Sequence, residues 1–120
     1  MKRHNFKELH IWRLAMDIVD DIYDITEKFP DKEKFGLTLQ MRKAVVSTPS
    51  NIAEGCGRGT SSQLEYFLDI ALGSSYELET QSYIAIRRRF CTPEVMNPVI
   101  EKMQENQRMT LSFRENHLEL

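Results

Sequence analysis

Three glycines fall within five residues at Gly55-Cys56-Gly57-Arg58-Gly59, with an arginine among them and hydroxyl residues following at Thr60-Ser61-Ser62. Glycine-rich loops can hold phosphate because backbone N–H groups converge on it at a helix N-terminus. The nucleotide-binding fingerprints need more: a preceding strand, and in the P-loop a Gly-Lys-Ser/Thr. Neither is present. The stretch reads instead as a helix C-cap at Gly55 or Gly57, a turn, and an N-cap at Ser62. Arg58 alone keeps a functional question open.

Other chemistry is weaker still. Cys56 as a nucleophile needs a histidine base, and the three histidines are His4, His10 and His117. Antiparallel packing would bring residues 4–10 near Cys56, but no orienting carboxylate stands at a telling spacing. The histidines show no metal-ligand spacing either. Asp17, Asp20, Asp21 and Asp24 could suggest a carboxylate metal centre, yet bundles of that kind use glutamates and Glu-x-x-His motifs pointing inward. Here the acids line one polar arc and no Glu-x-x-His occurs. No catalytic residue, metal ligand, cofactor site or small-molecule substrate is inferred, and the chain reads as a non-enzyme.

Charge narrows the partners. The 120 residues carry 16 basic and 18 acidic side chains, a net charge of -2, so bulk charge excludes a generally basic nucleic-acid binder. Two local cationic sets remain. Arg87, Arg88 and Arg89 fall in a helix's last turn, where they complement the macrodipole. Lys2, Arg3, Lys7 and Arg58 should meet at the opposite end. Repeated around a symmetric ring, either set would form a basic annulus able to hold phosphate backbone. The chain shows no apolar run of membrane length and no signal-peptide pattern, so a cytoplasmic protein without a membrane partner is expected. Cys56 and Cys91 bracket one predicted helix of about 28 residues, roughly 40 Å apart, too far for a disulfide.

The elements that must position these groups are four amphipathic helices, over about 6–29, 34–55, 62–90 and 93–115, within a single domain 1–120. Short connections favour antiparallel neighbours, so the expected class is all-α, an up-down-up-down antiparallel four-helix bundle. The first helix confines its polar residues to an arc of about 100° and carries two apolar seams: Leu9/Trp12/Met16/Val19/Tyr23 and Ile11/Ala15/Ile18/Ile22/Ile25/Phe29. That is more apolar surface than a small monomer should expose. Burial against another subunit is expected through Ile11, Leu14, Ile18 and Ile25. Pro49 lies inside the second helix, frees the carbonyl of Val45 and should kink it; the other prolines and the glycines mark boundaries. Ser62 and Glu65 form a capping box for the third helix. Thr92 and Pro93 open the fourth, whose pattern thins beyond Gln104 and frays over 116–120. Arg42, Asn51, Glu54 and Glu77 are polar groups at packing faces. An Arg42–Glu77 pair is expected, with Asn51 bonding across helices or subunits.

The stretches TEKFPDKEKFGLTLQMRKAVVSTPSNIAEGCGR, FLDIALGSSYELETQ and LHIWRLAMDIVDDIY resemble the 23S rRNA-intervening sequence proteins over about residues 6–86. The matching features run in order: Phe29-Pro30, Gly36-Leu37-Thr38, Gln40, Arg42, Ser47, Pro49-Ser50-Asn51-Ile52-Ala53-Glu54-Gly55, Gly57-Arg58, Gly73-Ser74 and Glu77-Leu78. The resemblance implies a left-turning four-helix bundle and a cytosolic homo-oligomer, a pentameric ring. Relatives that accompany diversity-generating retroelements are basic pentamers that bind nucleic acid and a reverse transcriptase. This chain departs from them in its slight acidity and in Arg87-Arg88-Arg89-Phe90, which replaces a small and apolar run. The function expected is a ring-forming module that binds RNA or DNA through a local basic surface. The alternative is a structural or protein-interaction oligomer with no nucleic-acid role.

Overall fold

The computed structural model describes residues 3–120. Four helices, α1 (His10–Thr26), α2 (Leu37–Gly57), α3 (Ser61–Arg87) and α4 (Pro93–Asn116), account for most of them, with 3-10 turns at Phe6–Glu8 and Asp31–Glu33. Helix α1 packs on α2 and α4, and α3 on α2 and α4, so the order around the bundle is 1-2-3-4. This is the expected up-down-up-down bundle, 46 Å long.

Each boundary has a local cause. The first predicted helix breaks at Leu9, which is extended (φ -80, ψ 134) and offers no side-chain cap. The cap comes from the far end of the chain. Both carboxylate oxygens of Glu119 accept from the first turn of α1, from His10 N at 2.8 Å and Ile11 N at 3.0 Å. An acceptor here satisfies orphan donors and sits at the positive end of the dipole. The tail expected to fray is thereby tied down. Helix α2 begins at Leu37 rather than 34, because residues 31–33 form a 3-10 turn and Glu33 Oε1 accepts from Leu37 N at 3.1 Å.

The glycines of the opening motif are not left-handed caps. Among the described residues no glycine has positive φ, and α2 runs through Gly55 and Cys56 to end at Gly57, with Arg58 extended after it. Gly55 serves packing: a Cβ there would lie 3.1 Å from Phe67 Cβ and 3.3 Å from Leu64 O. The N-cap of α3 is Thr60, not Ser62. Its Oγ1 accepts from Gln63 N at 3.2 Å, so the cap lies two residues earlier than expected and leaves Glu65 for another partner. Pro49 is buried within a continuous α2, and the polar groups beside it bond to the carbonyls of Ala44 and Ser47 rather than of Val45. Pro98 is a second proline inside a helix, in α4.

Helix α3 stops three residues before the expected 90. Arg89 takes a left-handed conformation (φ 62), Phe90 N donates to Ala85 O at 2.9 Å, and Arg89 N donates to Ile86 O at 3.0 Å. This is a Schellman turn with arginine where glycine is preferred. Thr92 and Pro93 start α4 as expected, with Thr92 Oγ1 accepting from Val95 N.

The core has two apolar clusters. One centres on Ile22, Met41, Leu78 and Met103, the other on Ile11, Ile52, Leu68 and Phe113. Buried polar residues of α4, Asn106, Gln107 and Thr110, continue its inner face where the apolar pattern thins. Asn106 Nδ2 donates to Ile11 O of α1 at 2.8 Å. Gln107 Nε2 donates to Ser75 Oγ at 3.0 Å and to Glu79 Oε1 at 2.9 Å on α3. Burial pushes the Glu79 carboxyl up, but hydrogen bonds from Tyr83, Gln107 and Gln104 outweigh it and leave its pKa below the ordinary 4.5.

Two measurements check this packing. Gly55→Ala is expected to destabilise the chain by about 1–3 kcal/mol through overpacking, whereas Gly73→Ala, whose Cβ would meet nothing within 4 Å, should stabilise it by about 0.5–1 kcal/mol; urea unfolding separates the signs. A carboxyl with a depressed folded pKa contributes stability above its unfolded pKa and loses it as pH falls through the folded one. The urea midpoint of the wild type should therefore exceed that of Glu79→Gln at pH 7, with the gap closing below about pH 4.5.

Candidate nucleic-acid interface

The two ends of the bundle treat their cations differently. Lys2 lies outside the described residues. Arg3 and Arg58 do meet at the end where α2 passes into α3, and both are engaged. Arg3 Nε donates to Gly57 O at 2.9 Å. Arg58 pairs with Glu54 at 2.9 Å and stacks 4.9 Å over the Phe67 ring. Lys7 is exposed, and its carbonyl accepts from Arg13 Nε at 2.9 Å. Glu8, Glu65, Glu115 and Glu119 occupy the same end, so its charge is locally balanced. Glu65 accepts from or pairs with His117 Nε2 at 2.8 Å, and Arg114 holds Asp69 through two bonds of 2.6 and 3.0 Å.

At the other end, Arg87, Arg88 and Arg89 are exposed and make no side-chain hydrogen bond or ion pair among the described residues. The α1–α2 connection meets them there, its Phe29 ring packing 5.5 Å from Phe90. That connection adds exposed Lys28, Lys32 and Lys34. Six cations thus face Glu27, Asp31, Glu33 and Glu94 at this end. The lysines of the connection were not singled out from sequence, since only the antiparallel return of α3 places them beside the arginine run.

The expected structural pair is replaced. Arg42 does not reach Glu77. Its Nε donates to Thr26 Oγ1 at 2.9 Å, and its Nη2 reaches Tyr23 O and Glu27 Oε2, both at 3.3 Å, with the guanidinium 4.5 Å over the Tyr23 ring. Arg42 thus caps the C-terminus of α1 from α2, a cation at the negative end of the dipole. Glu77 is exposed and accepts from Gln81 Nε2 one turn on. Asn51 donates to Ser47 O and Oγ within α2, and Ser47 Oγ then meets Ser74 Oγ of α3 at 2.8 Å. The cross-helix bond is the serine pair, and Asn51 supports it.

The subunit-facing residues also shift. Ile11 and Ile18 are 0% and 4% exposed in the single chain, in its own core, so neither is available to a second copy. Leu14 and Ile25 are half-buried against that core. The other seam of α1 stays open: Met16 and Tyr23 are exposed and Trp12 and Val19 half-buried, continuous with Leu39 and Val46 of α2. Periodicity revealed two seams, but only the placement of α2 and α4 on α1 decides which is inside.

Cys56 is fully buried, and burial, then the nearby Glu119 charge, push its thiol up to about 11. A thiol so placed is a poor nucleophile. Both cysteines are free. Asp17, Asp20 and Asp24 are exposed, and Asp21 pairs with Lys102 at 2.8 Å. Among the described residues no three His, Cys, Asp or Glu side chains gather as metal ligands, and no helix is long and apolar enough to cross a membrane.

With this geometry, the model of the 23S rRNA-intervening sequence proteins matches residues 7–112. The chain belongs to that family. The family match spans all four helices, including the α3–α4 corner that bears Arg87–Arg89. A solved structure from Bacteroides thetaiotaomicron VPI-5482, described as a protein of unknown function from the S23 ribosomal protein family, superposes with a TM-score of 0.81 at 19% identity, covering 88% of this chain and 98% of that one. At that identity the likeness shows the fold. No curated protein matches the chain.

For this family member, Arg42→Ala is expected to lower stability by about 1–2 kcal/mol, since it removes hydrogen bonds to Thr26 and the α1 terminus. Glu77→Ala should stay within about 0.5 kcal/mol of wild type. Chemical denaturation of the two variants distinguishes the observed capping role from a buried Arg42–Glu77 pair.

Proposed function

We propose that the protein is a non-enzymatic, cytoplasmic homo-oligomeric ring, a pentamer, that binds RNA or DNA through the basic end formed by Arg87, Arg88 and Arg89. One observation carries the reading. Arg89 is held at φ 62, in the left-handed region where a side chain costs about 1–2 kcal/mol relative to glycine. Its neighbours Arg87 and Arg88 are exposed and unpaired beside it. The turn is closed by backbone groups alone, so the Arg89 side chain makes no hydrogen bond or ion pair among the described residues and is available to a phosphate.

The open seam of Trp12, Met16, Val19 and Tyr23 with Leu39 and Val46 supports assembly, because a contiguous apolar face favours association. A ring multiplies a local patch of three arginines into an annulus, which reconciles phosphate binding with a chain of net charge -2. That same net charge favours the second reading, an oligomer whose partners are proteins alone.

Arg89→Gly tests the proposal because its two expected effects have opposite signs. It should raise stability by about 1 kcal/mol and weaken binding of structured RNA or single-stranded DNA, reducing the salt slope by about 1. Gel shifts at about 50 mM and higher salt measure the second effect. Absence of any shift by the wild type at the lowest salt would remove the nucleic-acid role and leave the protein-only oligomer.

A further inference from the structure

Two features at the basic end have no counterpart within the chain. The first is Phe35, on the α1–α2 connection, 81% exposed. An exposed phenylalanine ring is an unusual placement for a side chain that gains so much from burial. Its neighbour Lys34 lies 5.6 Å over the ring and is exposed too. The second is a pocket of about 710 Å³ between the end of α1 and the start of α4. Ile25, Phe90, Cys91 and Val95 give it an apolar floor, and Val95 is 52% exposed. Asp24 and Glu27 stand on its rim with Lys28 and Thr92.

We infer that Phe35 of one copy inserts into this pocket of the next, with Lys34 facing Asp24 and Glu27. The inference rests on the ring reading above and names its contact. Three observations favour a second copy as the occupant. The knob is apolar and flanked by the cation of Lys34, while the receptacle has an apolar floor and carries the exposed carboxylate of Asp24 on its rim, beside Lys28 and the Arg42-paired Glu27, so an apolar ring meets an apolar floor and Lys34 an opposite charge. Knob and pocket also lie at the same end of the bundle, as the Phe29–Phe90 packing shows. Rotation about an axis parallel to the bundle preserves height, so a ring built about such an axis joins features at one level. Finally, they are different surfaces flanking α1, one on the side of α2 and one on the side of α4. A contact between unlike surfaces is heterologous and propagates from copy to copy until the ring closes.

The test uses the full chain and two surface variants, Phe35→Glu and Val95→Glu, chosen because both side chains are exposed in the single chain and neither is needed by its core. Sedimentation equilibrium at micromolar concentration should find the wild type in a closed oligomer and each variant dissociated, the association constant falling at least 10–100-fold per interface. Mixed one to one, the variants should form a heterodimer and nothing larger, since the intact Phe35 of one meets the intact pocket of the other and no further contact is possible. Assembly of either single variant like the wild type would overturn the docking while leaving the ring reading in place. So would a mixture that stays monomeric. Phe35→Glu that assembles normally but loses single-stranded DNA binding would assign the ring to base stacking instead and would also overturn it. A monomeric wild type would overturn the ring reading, and the docking with it.

Discussion

The structure depends on the buried amides of α4. Asn106 and Gln107 lie where the two apolar clusters meet, and neither could be buried without partners, since an unsatisfied polar group in a low-dielectric interior costs several times what a hydrogen bond contributes. Asn106 finds its partner on α1 and Gln107 on α3. Together they set the register of α4 against both neighbours at once. A slip by one turn would carry both amides away from their acceptors, whereas the apolar contacts above and below would tolerate repacking.

That register positions everything at the two ends. At one end it delivers Glu119 to the uncapped first turn of α1, across a sequence separation of 109 residues for His10. The same end engages Arg58 and Arg114 with neighbouring carboxylates and Arg3 with a carbonyl. At the other it sets the Schellman turn of Arg87-Arg88-Arg89 beside the lysines of the α1–α2 connection. The difference between the ends is thus one of pairing rather than of cation number. Cations that are already engaged must break an interaction before they meet a phosphate, and exposed, unpaired ones need not.

The helices, their antiparallel order and the start of α4 were legible from periodicity and capping chemistry, which act over one or two turns. Legibility failed where a local signal had a competitor. Ser62 and Glu65 have a capping-box spacing, but Thr60 and Gln63 are equally spaced and come first, and Glu65 is drawn to His117. Gly55 looks like a terminator because glycine usually ends helices, yet here it admits Phe67. Arg42 was recognisable as a packed arginine, but its partner was misassigned, because two neighbouring helices offered acceptors and the helix end offered the better one. The inner face of α4 beyond Gln104 was missed since buried amides carry no hydropathy signal.

By itself the sequence determined an all-α chain, the amphipathic stripes, two separate cationic sets and membership in a recognisable family, because each is written in residue types at short spacing. Tertiary structure alone decided which seam of α1 is the core, which arginines are paired, what caps α1, and that Phe35 and its candidate pocket share one end of the bundle. Those outcomes depend on which helices adjoin and at what height. That is set by contacts between residues up to about a hundred positions apart, such as Asn106 with Ile11, for which no local spacing supplies a rule.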